Sequence, residues 1–305
     1  MIRVLVTGAG GQVGADIVRA LAGRAEVIAH DRAALDLSRP EAIVERVREA
    51  KPQLIVNAGA YTAVDRAESE VDAARAVNAH APAVLAGEAR RLGALLVHYS
   101  TDYVFDGTKD AAYVESDPPA PVNAYGRTKL EGERAVAASG CAHLILRTSW
   151  VYAPRGRNFL LTMLELARTR EEIRVVDDQR GAPTTSRELA RATLAILERD
   201  DAHPITAEGI ERARGRSGLY HASAAGETTW FGFAEEIFRR WSAHAGAGFR
   251  MPRLIPIPTS EYPTPARRPA NSMLSNERLA RTFDVALAPW RQELEEAISA
   301  LAGRR

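Results

Sequence analysis

The stretch "IRVLVTGAGGQVGADIVRALAG" (residues 2–23) decides the fold. It opens with an apolar run, 2–8, that does not alternate with polar residues, the pattern of a strand covered on both faces. Gly8, Gly11 and Gly14 follow in a G-x-x-G-x-x-G spacing, with Gln12 and Val13 between the last two. Residues 13–23 then place apolar side chains at helical spacing. Strand, glycine turn and helix in this order let the backbone approach a pyrophosphate closely, while unpaired N–H groups at the helix start face it. A glycine pattern alone is weak; the strand–turn–helix setting makes a dinucleotide site the expectation.

The same alternation runs outward along the chain. Strands are expected at 26–31, 53–60, 94–101 and 142–152, with helices at 39–52, 71–93 and 124–140. Strands alternating with helices imply an α/β fold, a Rossmann-type doubly wound parallel sheet over residues 1–152. Residues 153–305 read as a smaller α/β substrate-binding domain, with some chain returning to the first. Within it, 201–218 is polar and weakly patterned and reads as a surface excursion. The proline-dense segment 252–274 cannot form a long regular element and reads as a functional loop.

Several residues border the expected dinucleotide. Asp31 ends the second strand, where a carboxylate holds a ribose 2′-hydroxyl and repels a 2′-phosphate. Arg32 beside it would receive that phosphate, so NADH and NADPH both stay open. Asp36 and Leu37 come where a loop borders the adenine, although Asp36 also reads as a helix cap. Residues 57–60, with Ala58 and Ala60, end the third strand at the edge where cofactors lie.

The chemistry gathers on "YSTDYVFDG" (99–107) and "VNAYGRTKLEGE" (122–133). Ser100 and Thr101 end the fourth strand, and because adjacent strand residues face opposite ways, one of them points into the site. Tyr125 and Lys129 stand four apart, on one helix face. A lysine there holds the nicotinamide ribose and lowers the phenol's pKa by its charge. Tyr125 would then give its proton to a carbonyl oxygen that Thr101 orients.

The totals narrow the class. The chain has 305 residues, 40 basic against 39 acidic, for a net charge of +1. That balance offers nothing to nucleic acid or an anionic membrane. The single cysteine, Cys141, excludes an intramolecular disulfide and a thiolate metal cluster. No signal-like segment and no run of ~20 apolar residues is visible, so a cytoplasmic protein is expected.

Eight stretches, in order along nearly the whole chain, carry a family resemblance: "TGAGGQVG", "VNAGAYTAVDRAE", "STDYVFDG", "NAYGRTKLEGE", "LRTSWVYA", "DDQRGAPT", "GETTWFGFAEEIF" and "YPTPARRPANSML". The chain resembles the extended short-chain dehydrogenases/reductases and, within them, the dTDP-4-dehydrorhamnose reductase family. The resemblance implies reduction of the C4 keto group of dTDP-4-dehydro-L-rhamnose by NADPH or NADH. The product, dTDP-L-rhamnose, is a precursor of surface polysaccharides. It implies Thr101, Tyr125 and Lys129 as the catalytic set and adds Tyr61 to the cofactor contacts. Thr62, Val64, Asp102 and Trp150 would border the sugar or the cofactor. In "YPTPARRPANS", Arg267 and Arg268 could pair a diphosphate by charge-assisted bonds, with Asn271 and Ser272 orienting sugar or base. Gln179 and Arg180 would form the other wall of the cleft. Some relatives bind a divalent cation at a dimer interface, and Asp16 and Glu188 fall where two such ligands lie. Glu293, Glu295 and Glu296 read as a solvated helix face, so no metal is assigned. The expected partners are a nucleotide-sugar and at most a second copy of the chain, as a homodimer. Another nucleotide-sugar epimerase or reductase, or a non-catalytic regulatory subunit, are the alternatives.

Overall fold

The structure, a computed structural model, describes residues 1–198, 204–245 and 249–303. Six parallel strands form the main sheet: β1 (Arg3–Thr7), β2 (Glu26–His30), β3 (Leu54–Asn57), β4 (Leu95–Thr101), β5 (His143–Thr148) and β6 (Gly218–His221). Their order is β6-β5-β4-β3-β1-β2. The chain leaves β1 for β2 on one side and for β3 on the other. That reversal opens a crevice at the carboxyl ends of β1 and β3, where open α/β sheets take their ligands.

Both faces of the sheet are covered, as the unbroken apolar strands require. On one face Ile17 and Leu21 of the Gln12–Leu21 helix pack with Leu189, Ile196 and Leu197 of the Ser186–Leu197 helix. On the other, Ile43, Val47, Leu85, Ala89 and Val136 come from the Pro40–Ala50, Ala81–Leu92 and Ala124–Ala138 helices. Cys141 is buried in this second cluster as a small hydrophobe. A third cluster centres on Tyr152, Phe233, Phe238 and Trp290 beside the parallel strand pair Glu172–Val176 and Arg253–Ile257.

Three expectations are corrected. The segment 204–218 is not a surface excursion: Thr206 caps the Ala207–Arg214 helix, and Ile205, Ile210 and Ala213 are buried in the first cluster. Residues 201–203 of that segment lie outside the described residues. The proline-dense segment does contain a strand, Arg253–Ile257, which tolerates Pro256 because it sits in a two-stranded pair with an open edge. The long helix over 71–92 is interrupted by a π-turn, Ala76–His80. Pro82, just past it, has no N–H to give the Asn78 carbonyl, and the turn absorbs that missing bond. Among the described residues, no helix is long and apolar enough to cross a membrane.

Candidate active site

The glycine loop is packed backbone against backbone. Gly8 has φ +68°, and a Cβ there would lie 2.6 Å from the Gly59 backbone. A Cβ on Gly14 would lie 2.2 Å from the Gly8 carbonyl oxygen. Gly11 starts the next helix without a side-chain cap, and the first helical bond runs from Ala15 N to Gly11 O at 3.0 Å. The N–H groups of Gln12, Val13 and Gly14 therefore stand ahead of the ladder, as an anion requires. Gln12 is held from the second half of the chain: Asn158 Nδ2 donates to its Oε1 at 2.8 Å and Arg155 Nη2 to its carbonyl at 2.7 Å.

The rim follows from β2 and β3. Asp31 Oδ1 accepts from Ala33 N and Ala34 N at 3.0 and 2.9 Å, closing a turn next to exposed Arg32. Asp36 accepts from the backbone and hydroxyl of Ser38, which hold its carboxyl below the usual range. The helix that follows is capped by Arg39 with Pro40 at its first turn, so Asp36 closes a turn rather than capping the helix. Leu37 is buried against Gly59. Ala58 and Ala60 are half-buried beyond β3, and Tyr61 is fixed by its hydroxyl on Glu70 at 2.5 Å and its N–H on Asn78 Oδ1 at 2.8 Å. Thr62 is exposed, and Val64 opens the short helix Val64–Ala67.

The reactive groups meet beside this rim. Thr101, at the end of β4, accepts from Tyr103 N and donates to Asp102 Oδ1, both at 3.1 Å, and the Tyr103 ring sits edge-on to Tyr125. Tyr125 sits in the first turn of the Ala124–Ala138 helix, which Asn123 caps by accepting from Gly126 N at 2.8 Å. Lys129 lies one turn on, buried, with Nζ donating to the Tyr99 carbonyl at 2.6 Å. Burial lowers this amine to about 8, against the opposing pull of Glu133. The phenol is raised, mainly by burial, with Thr101 lowering it and Asp102 raising it further. The expected lowering of Tyr125 by Lys129 does not set its pKa: burial dominates, the one lowering pull is Thr101's, and the phenol stays protonated at neutral pH. Asp102 is pushed up to about 6 by burial, with Ser272 and Thr101 pulling it down, and its Oδ2 has no hydrogen-bond partner.

Ser100 turns the other way. Its hydroxyl donates to Glu133 Oε1 at 2.5 Å, and Glu133 takes two bonds from Arg147 at 2.9 and 2.6 Å. Of the two hydroxyls, Thr101 is the one that acts on the Tyr125 phenol.

The opposite wall is aromatic and closely held. Trp150 has φ +49°, rare for a bulky residue, and stacks on Trp230 with centroids 3.7 Å apart. A Cβ on Gly181 would lie 2.4 Å from the Trp150 ring, so the indole is gripped there too. Gln179 joins this wall, accepting from Trp230 Nε1 at 3.2 Å and donating to Thr259 Oγ1 at 3.0 Å. The Arg180 backbone pairs with Ala270 and Ser272, and its guanidinium reaches the Asp110 carbonyl. Arg268 and Asn271 are both held by partners within the protein. Arg268 forms a two-pronged pair with Asp65 at 2.6 and 2.8 Å, and Asn271 Nδ2 is spent on the carbonyls of Lys109 and Ala111. Arg267 is exposed, while its carbonyl accepts from Asn123 Nδ2 at 2.8 Å.

The acidic residues also differ from expectation. Glu293 is no solvated face: it is 3% exposed, accepts from Thr185 N at 2.6 Å and is pushed up to about 8 by burial and by Glu188. Asp16 bonds Ser186, Arg19 and Arg155, and Glu188 bonds Arg191. Among the described residues no three acidic, histidine or cysteine side chains converge as a metal site.

Sequence reasoning passed over His98, Tyr103 and Trp230. Tyr103 sits edge-on to Tyr125 at 5.6 Å, two places after Thr101 in a stretch already singled out, so its spacing was the available signal. His98 gave none beyond lying in an expected strand, and Trp230 none beyond lying in one of the family stretches.

A doubly wound parallel sheet with a dinucleotide loop and a Thr-Tyr-Lys cluster at its carboxyl edge defines an extended short-chain dehydrogenase/reductase. Residues 2–302 match the family model described as RmlD substrate binding domain. The chain is 52% identical over 293 residues to a dTDP-4-dehydrorhamnose reductase of Burkholderia thailandensis, covering 95% of this chain and 96% of that one. It superposes on the crystal structure of a dTDP-4-dehydrorhamnose reductase of Clostridium acetobutylicum with a TM-score of 0.86 at 38% identity, covering 98% and 99% of the two chains. A Bacillus anthracis dTDP-4-dehydrorhamnose reductase in complex with NADP gives the same TM-score at 33% identity, with 98% and 99% covered. The chain belongs to the dTDP-4-dehydrorhamnose reductase family.

Proposed function

We propose that this chain is an NAD(P)H-dependent reductase that converts dTDP-4-dehydro-L-rhamnose to dTDP-L-rhamnose. The observation that carries the reading is the placement of Tyr125 and Lys129 one turn apart on a helix against β4, where Lys129 Nζ bonds the Tyr99 carbonyl and Thr101 ends the strand. The residues present fit a dinucleotide: Gly8 and Gly14 have no room for a Cβ, and the helix after them begins uncapped. Gly8, Gly11, Gln12, Val13 and Gly14 would hold the pyrophosphate, Asp31 and Arg32 the adenosine ribose, and Lys129 the nicotinamide ribose. When bound, the reduced dinucleotide is the two-electron reductant.

The chain's own groups handle the oxygen. Tyr125, raised by burial, holds its proton at neutral pH and gives it to the C4 oxygen as negative charge develops there. Thr101 orients the same oxygen and shares the charge. Lys129 keeps a positive charge close to the reacting end while it remains protonated, below about pH 8. Exposed Arg267 is a cation available to a diphosphate, and Arg268 shapes the loop through Asp65. Trp150, backed by Trp230, walls the sugar side.

The test mixes the purified chain with NADPH or NADH and dTDP-4-dehydro-L-rhamnose and follows nicotinamide absorbance. One equivalent of cofactor oxidised per equivalent of sugar is expected. Absence of oxidation with either cofactor, combined with tight cofactor retention, overturns the reading in favour of an epimerase.

A further inference from the structure

Thr7, Asn57 and His98 stand side by side in β1, β3 and β4, since Thr7 is the register partner of Asn57 and Asn57 of His98. All three are 0–1% exposed. Thr7 Oγ1 lies 2.7 Å from Asn57 Oδ1, the Asn57 carboxamide 3.0 Å from His98 Nδ1, and His98 Nε2 3.4 Å from Lys129 Nζ. Three buried polar side chains in a row, at the carboxyl ends of β1 and β3 and within β4, carry a desolvation cost that apolar residues of similar shape would avoid. The row ends on Lys129.

We propose that His98, held by Asn57 and Thr7, is a positioning residue for Lys129, accepting from its ammonium at Nε2 and holding it against the Tyr99 carbonyl. The proposal rests on the reading that Lys129 serves the dinucleotide. An ammonium has only donors, so Nε2 is bare and the ring proton sits on Nδ1. A half turn of the Asn57 carboxamide presents its oxygen to that proton and its NH2 to the Thr7 hydroxyl, which accepts. Burial, with Lys129 adding to it, keeps the ring from taking a second proton. The other titratable and charged groups around Lys129 are Tyr125 and Glu133 of its own helix, the latter bound to Arg147 of β5. His143 of β5 acts on His98.

The chain has three lysines, Lys51, Lys109 and Lys129, so labelled lysine side chains can be titrated individually by NMR in the cofactor-free protein. In His98→Leu, Lys129 should lose its proton at a pH lower by about 0.5 or more, while Lys51 and Lys109 keep their signals and report an intact fold. His98→Gln, which keeps an acceptor, should recover most of the shift, and Asn57→Leu should give a smaller shift in the same direction. NADPH affinity should fall in His98→Leu and recover in His98→Gln. An unchanged Lys129 titration in His98→Leu overturns the proposal, as does a shift that glutamine does not reverse. Failure of the wild-type chain to bind NADPH would instead strike the reductase reading, and the titration would still decide the role of His98.

Discussion

Tyr125 and Asp102 show how the same burial acts on two acids of opposite use. Both are raised, so both hold protons longer than in water. For Tyr125 this preserves a donor. For Asp102 it stores instability, because its Oδ2 is buried without a partner. The folded state binds the Asp102 proton up to about pH 6, against an ordinary value of 3.8. Between those values the folded chain holds more protons than the unfolded one, so stability falls as pH rises through that window. Asp102→Asn should therefore melt higher than the wild type at pH 7–8, and the gain should vanish near pH 4. Thermal melts at the two pH values check this; an equal difference at both would contradict it.

The helix Ala124–Ala138 sets where these groups stand, and glycines let it sit close. A Cβ on Gly126 would lie 2.1 Å from the Tyr103 carbonyl, and one on Gly132 2.1 Å from the Asn78 carbonyl at the π-turn. The helix is thus seated on the end of β4 at one point and on the Pro82-induced turn at another. Gly126→Ala should push the first turn, and Tyr125 with it, away from Thr101. Overpacking of this kind costs about 1–3 kcal/mol. Denaturant unfolding should show that loss, and turnover should drop more than tenfold; full activity with unchanged stability would mean that the seat is not required. The sequence showed this helix and its Tyr-Lys pair, because helical period is local. It did not show the π-turn, whose cause is a proline inside an otherwise good helical pattern.

Across the whole molecule, what was legible followed the range of the signal. The glycine loop, the five first strands and the Thr101, Tyr125 and Lys129 cluster rest on patterns within a few residues. β6 returns to the sheet from far along the chain, and its four residues carry no mark of their distant partner β5. The Arg268–Asp65 pair spans 203 positions, so an arginine that looked free is engaged. Glu293 reads as exposed beside Glu295 and Glu296, yet its helix turns it under Thr185. The long-range packing matters because it brings three separate segments together: the glycine loop, the end of β4 and the first turn of the tyrosine helix. The direct test of that assembly is Tyr125→Phe, assayed for NADPH oxidation with dTDP-4-dehydro-L-rhamnose and, separately, for NADPH binding. Turnover should fall by about 10²–10⁴-fold with cofactor affinity retained, the loss expected for one proton donor. Turnover equal to that of the wild type would contradict the role of Tyr125 and the mechanism built on it.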